Sequence, residues 1–196
     1  MVGLPGPVGC HGRSFVISMH WKILCALAAA HFLIAGFNLK IGFDYDDTLS
    51  FSSPAYERGF AAEKQKGVKP FTPEFWRIVN ENYEFDEPRW GVIFWALLAK
   101  AAGFDIVVIT ARLPVNAEAL VDRWDWLCDG FYFTKEKAAV MNKFHYVAFV
   151  GDSDSDIEEC QRVDVMAIRA RRSPKSSYRE NYSPGKYGEW ILPFSG

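Results

Sequence analysis

The sequence predicts an α/β fold: a mainly parallel sheet flanked by helices, with a small cap-like insertion after the first strand. Two observations predict it. Short apolar runs of strand type alternate with longer segments of helical periodicity, the order that builds parallel sheets. The strand-type runs are also apolar at nearly every position rather than at every second one, as in strands buried on both faces.

The elements follow in chain order. Residues 1–18 are rich in Gly and Pro and carry no periodic pattern, and Met19 is a candidate initiator. His20, Trp21 and Lys22 then precede an apolar stretch from Ile23 to Phe37. A basic start followed by an apolar run is the layout of a secretory signal, and the run is short for a membrane span. The alternatives are an uncleaved anchor and a core helix leading into the first strand. Residues 1–38 are therefore read as a leader and 39–196 as one globular unit, since 196 residues are few for two full domains.

Lys40–Phe43 is the first predicted strand. Residues 50–90 interrupt the alternation with Pro54, Pro70, Pro73 and Pro88 and many aromatics, which makes them an insertion of loops and short helices. A helix is expected over Val92–Ala102, stopped by Gly103, then a strand over Asp105–Ile109. Ala117, Leu120, Val121 and Trp124 form a stripe that predicts a helix over Asn116–Leu127. Next come a strand Phe131–Phe133, a helix Glu136–Phe144, a strand Tyr146–Val150, a helix Asp156–Gln161 and a strand Val165–Ile168. Beyond Arg169 the tail reads as too irregular to join the sheet, though its aromatics require something to pack on.

The net charge is −2, so bulk charge offers no reason to expect a nucleic-acid partner. Cys10, Cys25, Cys128 and Cys160 form no CxxC pair and no cluster with His, which argues against zinc and a disulfide scaffold. Cys25 and Cys160 read as buried free thiols.

In open α/β sheets ligands gather beyond the carboxyl ends of the strands. The first strand is followed by Asp44-Tyr45-Asp46-Asp47-Thr48, the second by Thr110-Ala111-Arg112 and the fourth by Gly151-Asp152-Ser153-Asp154-Ser155-Asp156. So many carboxylates at one sheet edge require protons or a cation, and oxygen donors without His or Cys point to Mg²⁺. Asp44 and Asp46 share a face in extended chain, so one can attack while the other moves a proton. Thr110, Arg112 and a lysine supply donors for an anion; Lys137, in the first turn of its helix, is favoured over Lys135 and Lys143. Asp47 and Asp154 are read as loop and helix caps rather than chemistry. The run Arg169-Ala170-Arg171-Arg172 is read as a solvated face or a subunit contact.

These segments resemble the four motifs of the haloacid-dehalogenase superfamily, and FDYDDTLSFSSP at Phe43–Pro54 resembles the class B acid phosphatases within it. ITARLP at Ile109–Pro114, GDSDSDI at Gly151–Ile157 and the closing SSYRENYSPGKYGE extend the likeness over about residues 39–196. The resemblance implies a Mg²⁺-dependent acid phosphatase acting on small phosphate monoesters, nucleotides among them, through a phospho-aspartate, with phosphotransferase activity in addition. It implies Asp44 as nucleophile, Asp46 as general acid/base, Thr110 and Lys137 as catalytic donors and Arg112 as a substrate ligand. Asp44, the Asp46 carbonyl, Asp152 and Asp156 are the implied metal site. Tyr56, Phe75, Trp76 and Tyr178 fall where the family builds an aromatic leaving-group pocket; ordinary core packing is the alternative for each. The likeness also implies a periplasmic homo-oligomer, with membrane contact only through the leader; without a signal in residues 23–37 the chain is cytoplasmic. Two other functions fit the same motifs: a polynucleotide 3′-phosphatase, and an exported binding protein that has lost catalysis.

Overall fold

The computed structural model describes residues 13–177 and 180–196. Cys10, the leader through residue 12 and Tyr178 lie outside the described residues.

In chain order the elements are α1 (Arg13–Gly36), β1 (Lys40–Phe43), β2 (Ser50–Phe51), α2 (Ser53–Lys66), α3 (Pro73–Glu81), β3 (Glu87–Pro88), α4 (Trp90–Ala101), β4 (Asp105–Thr110) and α5 (Glu118–Asp122). There follow β5 (Gly130–Phe133), α6 (Lys137–Lys143), β6 (Tyr146–Gly151), α7 (Asp154–Gln161), β7 (Met166–Arg169) and β8 (Trp190–Ile191), with a 3-10 turn at Tyr83–Phe85. Six strands form one parallel sheet in the order β5-β4-β1-β6-β7-β8. The chain leaves β1 for β4 on one side and returns to β6 on the other, so a crevice opens beyond the carboxyl end of β1. Phe43 registers with both Val108 and Val150, which sets the loops after β1, β4 and β6 side by side.

Alternating residues of β4 build two core layers. Ile106 and Val108 pack with Phe43, Val150 and the inner face of α4, Val92, Ile93 and Ala96. Val107 and Ile109 face the opposite way and pack with Phe149, Met141 of α6 and Cys160 of α7. Every one of these side chains is essentially dry, and each Val, Ile, Phe and Met among them contributes roughly 1.5–3 kcal/mol by leaving water. The insertion has a core of its own, made of Ala55, Tyr56, Phe75, Trp76 and Val79 between α2 and α3.

Several expectations are corrected. The 116–127 segment holds only the five-residue α5; Trp124 and Leu127 are buried, but their backbone N–H groups reach back three residues, to Val121 and Trp124. The stripe is there to pack on the sheet, and tight turns satisfy it without a regular helix. The tail does join the sheet: β8 pairs in parallel with β7, Ile168 opposite Trp190. Cys25 is exposed, Cys160 buried. α1 is not a core helix, for Met19–Gly36 has a mean hydropathy of 1.4 with none of it buried, long and apolar enough to cross a membrane.

The Arg169–Arg172 run is not one solvated face, for Arg171 alone of the four is exposed. Arg169 is fully buried, pairing with Asp154 at 3.0 Å and Glu189 at 2.8 Å and donating to the Asp152 carbonyl at 2.7 Å. It thus bolts the tail to the loop after β6. Replacing Arg169 with Met leaves both carboxylates without their cationic partner, and the variant is expected to lose about 3 kcal/mol of stability, read as a lower urea midpoint at unchanged slope. A midpoint within experimental error of the parent would show that the tail is held by its apolar contacts instead.

Candidate active site

The loop after β1 is a tight turn in which Leu49 and Ser50 donate back to the Tyr45 carbonyl and Asp47 adopts φ 54°, a left-handed conformation that Asp tolerates better than most residues. The turn aims Asp44 and Asp46 in different directions. Asp44, nearly dry, accepts from Lys137 Nζ at 2.5 Å, and the same ammonium donates to Asp156 at 2.6 Å. Asp156 is fixed by a capping box at the start of α7: its Oδ2 accepts from the Ser153 N–H at 3.2 Å and hydroxyl at 2.8 Å, leaving Oδ1 for Lys137. Gly151 is required beneath it, because a Cβ there would come within 2.5 Å of the Asp156 carboxyl.

Asp152 completes the cluster, accepting from Thr48 at 3.3 Å and from Arg172 at 2.5 Å. One oxygen from each of Asp44, Asp152 and Asp156 lies within 4.8 Å of the others, and all three residues are buried. Burial raises Asp44 well above the ordinary carboxylate range; Lys137 opposes this, while Asp156, Asp152 and Asp46 add to it. Burial likewise lifts Asp152 to about 7 against the pull of Arg172. Burial alone would lower Lys137, but Asp156 and Asp44 outweigh it and hold the ammonium well above its usual value. Three buried carboxylates with hard oxygen donors, kept from ionising freely by one another, fit a divalent cation.

The Asp46 carboxylate stands apart from that cluster. Arg112, fully buried, grips it through Nη2 at 2.6 Å and Nε at 3.0 Å, and Tyr56 donates its hydroxyl at 3.2 Å. Arg112 was expected on substrate oxygens and is here engaged by Asp46, with Asp86 at 3.2 Å and Asn80 at 3.4 Å as further partners. Thr110 is the last residue of β4 rather than the first after it, and its hydroxyl accepts from the Arg112 N–H at 3.3 Å. Lys137, preferred over Lys135 from sequence, is the lysine that reaches Asp44 and Asp156; Lys135 lies exposed at the rim.

Two cavities adjoin these groups. One of about 240 Å³ is lined by Asp44, Asp46, Lys137, Ser153 and Asp156. The other, about 330 Å³, is lined by Tyr56, Phe60, Phe71 and Trp76, with Ser177 from the tail. Ala111, Lys135 and Glu180 line both, so the two are continuous. Phe75 does not reach the aromatic cavity; it packs beneath it, 5.7 Å from Trp76 and 6.2 Å from Tyr56 between ring centroids. Asp47 and Asp154 tie the tail: Asp47 accepts from Ser176, and Asp154 from the Ser183 N–H at 2.7 Å.

The sequence does not single out Asp86 or Asn80, and Arg172, expected on a solvated face or subunit contact, is instead a partner of Asp152. Arg172 lies just past the end of β7, at the sheet edge where the other strands deliver their polar groups. Asp86 and Asn80 sit in the insertion with no motif around them.

No family model matches the chain. Among curated proteins it is similar to the class B acid phosphatases of Edwardsiella ictaluri, 30% identical over 79% of this chain and 70% of that one, and of Rahnella sp., 29% identical over 79% and 71%. That of Enterobacter sp. is 28% identical over 89% of this chain and 79% of its own. Among solved structures it is similar in fold to CbbY from Rhodobacter sphaeroides, solved with phosphate, at a TM-score of 0.59, 14% identity and coverage of 81% and 95%. A haloacid dehalogenase-like hydrolase from Streptococcus pneumoniae aligns at a TM-score of 0.54, 14% identity and coverage of 79% and 93%.

Proposed function

Because the chain belongs to the class B acid phosphatase family of the haloacid-dehalogenase superfamily, and so is a phosphoric monoester hydrolase, we propose that it works through a phospho-aspartate on Asp44 with Mg²⁺ bound. The observation that carries this reading is the convergence of Asp44 and Asp152, from the loops after β1 and β6, with Lys137 and Asp156, from the first turns of α6 and α7, into one buried cluster, with the Asp46 carboxylate held separately by Arg112.

In this scheme an Asp44 oxygen attacks phosphorus and the bond to the leaving oxygen breaks, with Asp46 donating the proton that oxygen needs. Water then attacks the phospho-aspartate, Asp46 accepts its proton, and phosphate leaves with Asp44 regenerated. Lys137 balances charge on Asp44 and the entering phosphoryl oxygens. The side chains of Asp44, Asp152 and Asp156, with the Asp46 carbonyl, would hold Mg²⁺, which when bound neutralises developing negative charge and favours ionised Asp44.

The aromatic cavity supports organic monoesters with a flat leaving group, nucleotides and aryl phosphates included, the leaving group stacking beside Trp76. Trp76→Ala is expected to raise KM for p-nitrophenyl phosphate and a nucleoside monophosphate by about tenfold, the loss of roughly 1–1.5 kcal/mol of ring contact. KM for β-glycerophosphate, which has no ring, should move far less; equal shifts for all three would assign Trp76 to the insertion's core alone. Transfer of the phosphoryl group to an alcohol instead of water follows from the same intermediate. The unburied α1 supports export, as a signal or an anchor. The exposed apolar face of α4, with Trp90, Phe94, Leu97 and Leu98, supports a homo-oligomer.

A further inference from the structure

We propose that Asp86 is a positioning residue for proton transfer, acting through Arg112 on the Asp46 carboxylate. This rests on the reading of Asp46 as general acid/base, and deepens it.

The Arg112 guanidinium is fully enclosed, and each of its sides has a named neighbour. Asp46 occupies the edge formed by Nε and Nη2, Asp86 Oδ2 accepts from Nη2 at 3.2 Å, and Asn80 Oδ1 accepts from Nη1 at 3.4 Å. The ring of Tyr45 lies under its plane, 4.6 Å from the guanidinium carbon to the centroid. Asp86 is itself fixed: Tyr45 donates its hydroxyl to Oδ2 at 2.9 Å, the Asp86 N–H reaches the Tyr83 carbonyl at 3.0 Å, and Arg123 holds the Asp86 carbonyl at 3.1 Å. Asn80 is anchored by the Leu113 and Val115 carbonyls, both at 2.9 Å. Asp86 and Asn80 therefore decide which way Arg112 presents its fork, and the fork decides where the Asp46 carboxylate points. Both residues belong to the insertion, while Asp46 belongs to the loop that follows β1. The insertion that roofs the aromatic cavity thus also aims the acid.

Stability alone is a weak reason for a carboxylate at position 86. Its side chain is fully buried and its Oδ1 has no hydrogen-bond partner among the described residues. A buried ion pair replaced whole by apolar side chains of similar volume commonly loses no stability, so the pair is kept for something else. Positioning does give a reason, since a bidentate arginine holds a carboxylate in one plane only if the arginine is itself held.

The test uses leaving groups that differ in their need for a proton. β-Glycerophosphate releases a basic alkoxide that must be protonated, whereas p-nitrophenyl phosphate releases a stable phenolate. In Asp86→Asn, kcat/KM for β-glycerophosphate should fall at least about tenfold further than that for p-nitrophenyl phosphate. Partial unfolding would lower both equally. On an Arg112→Gln background the same substitution should cause no further change in the ratio. If Asp86→Asn does not fold, the ratio is read on Tyr45→Phe, which removes only the hydroxyl that orients Asp86, and the same direction is expected. An unchanged ratio in the folded variant, or a full additional change on the Arg112→Gln background, overturns the proposal. Asp44→Asn is the control for the parent reading: if it keeps turnover of both substrates the phospho-aspartate scheme fails, whatever Asp86 does.

Discussion

Asp44→Asn should lower turnover of p-nitrophenyl phosphate by more than about 10⁴-fold while the protein stays folded. Asn has the shape of Asp but no ionisable oxygen, so no acyl phosphate can form. The fold should tolerate the change because burial and three neighbouring carboxylates already oppose a charge on Asp44. Lys137 keeps Asp156 as its partner at 2.6 Å. Steady-state turnover and a thermal melt check the two halves separately. Acid-quenched wild-type enzyme given radiolabelled substrate should carry label on the protein, and the variant should carry none. A folded variant with more than a few per cent of parent activity would remove Asp44 from the chemistry.

Stripping divalent cations should abolish turnover, and Mg²⁺ should restore it, with a pH dependence that follows from the cluster. Burial holds Asp152 up at about 7 and Asp44 well above the ordinary range, so in the absence of a cation both bind protons more tightly than free carboxylates do. A raised carboxylate pKa means the proton competes with the metal. Cation affinity should therefore rise with pH up to about 7 and beyond, and weaken as pH falls below it, with protons released on binding. Calorimetric titration of chelator-treated protein with Mg²⁺ in buffers of different ionisation enthalpy counts those protons. Binding of equal strength at pH 5 and pH 8, or full activity after exhaustive chelation, would show that these carboxylates do not hold a catalytic cation.

The parts of the site that could be read in the sequence share a simple geometry. Asp44, Thr110 and Asp152 are each within one residue of a strand's end, and strands so apolar are found by their own composition. A parallel sheet then brings those ends to one edge, whatever the details of packing. Lys137 was found for a related reason: the first turn of a helix that leads into β6 lies near the same edge. Where the reading failed, the deciding information was long-range. The Ala117, Leu120 and Trp124 stripe reports which side chains are buried, and burial was achieved by turns rather than by a continuous helix. β8 has two residues and no pattern, and exists because the tail is pinned by Arg169 and lies along β7.

The sequence alone determined the α/β alternation, the two loops that carry the carboxylates and the third that carries Thr110 and Arg112, and the family to which they belong, because each is written in contiguous residues whose local preferences agree. Only the tertiary structure decided which of those groups meet. Asp44 and Asp46 are two positions apart, yet the turn after β1 sends one to Lys137 and the other to Arg112. The partners that settle the difference, Asp86 and Asn80, lie more than thirty residues along the chain from Asp46. A buried charge is stabilised by whatever the fold packs against it, and no local pattern encodes that choice.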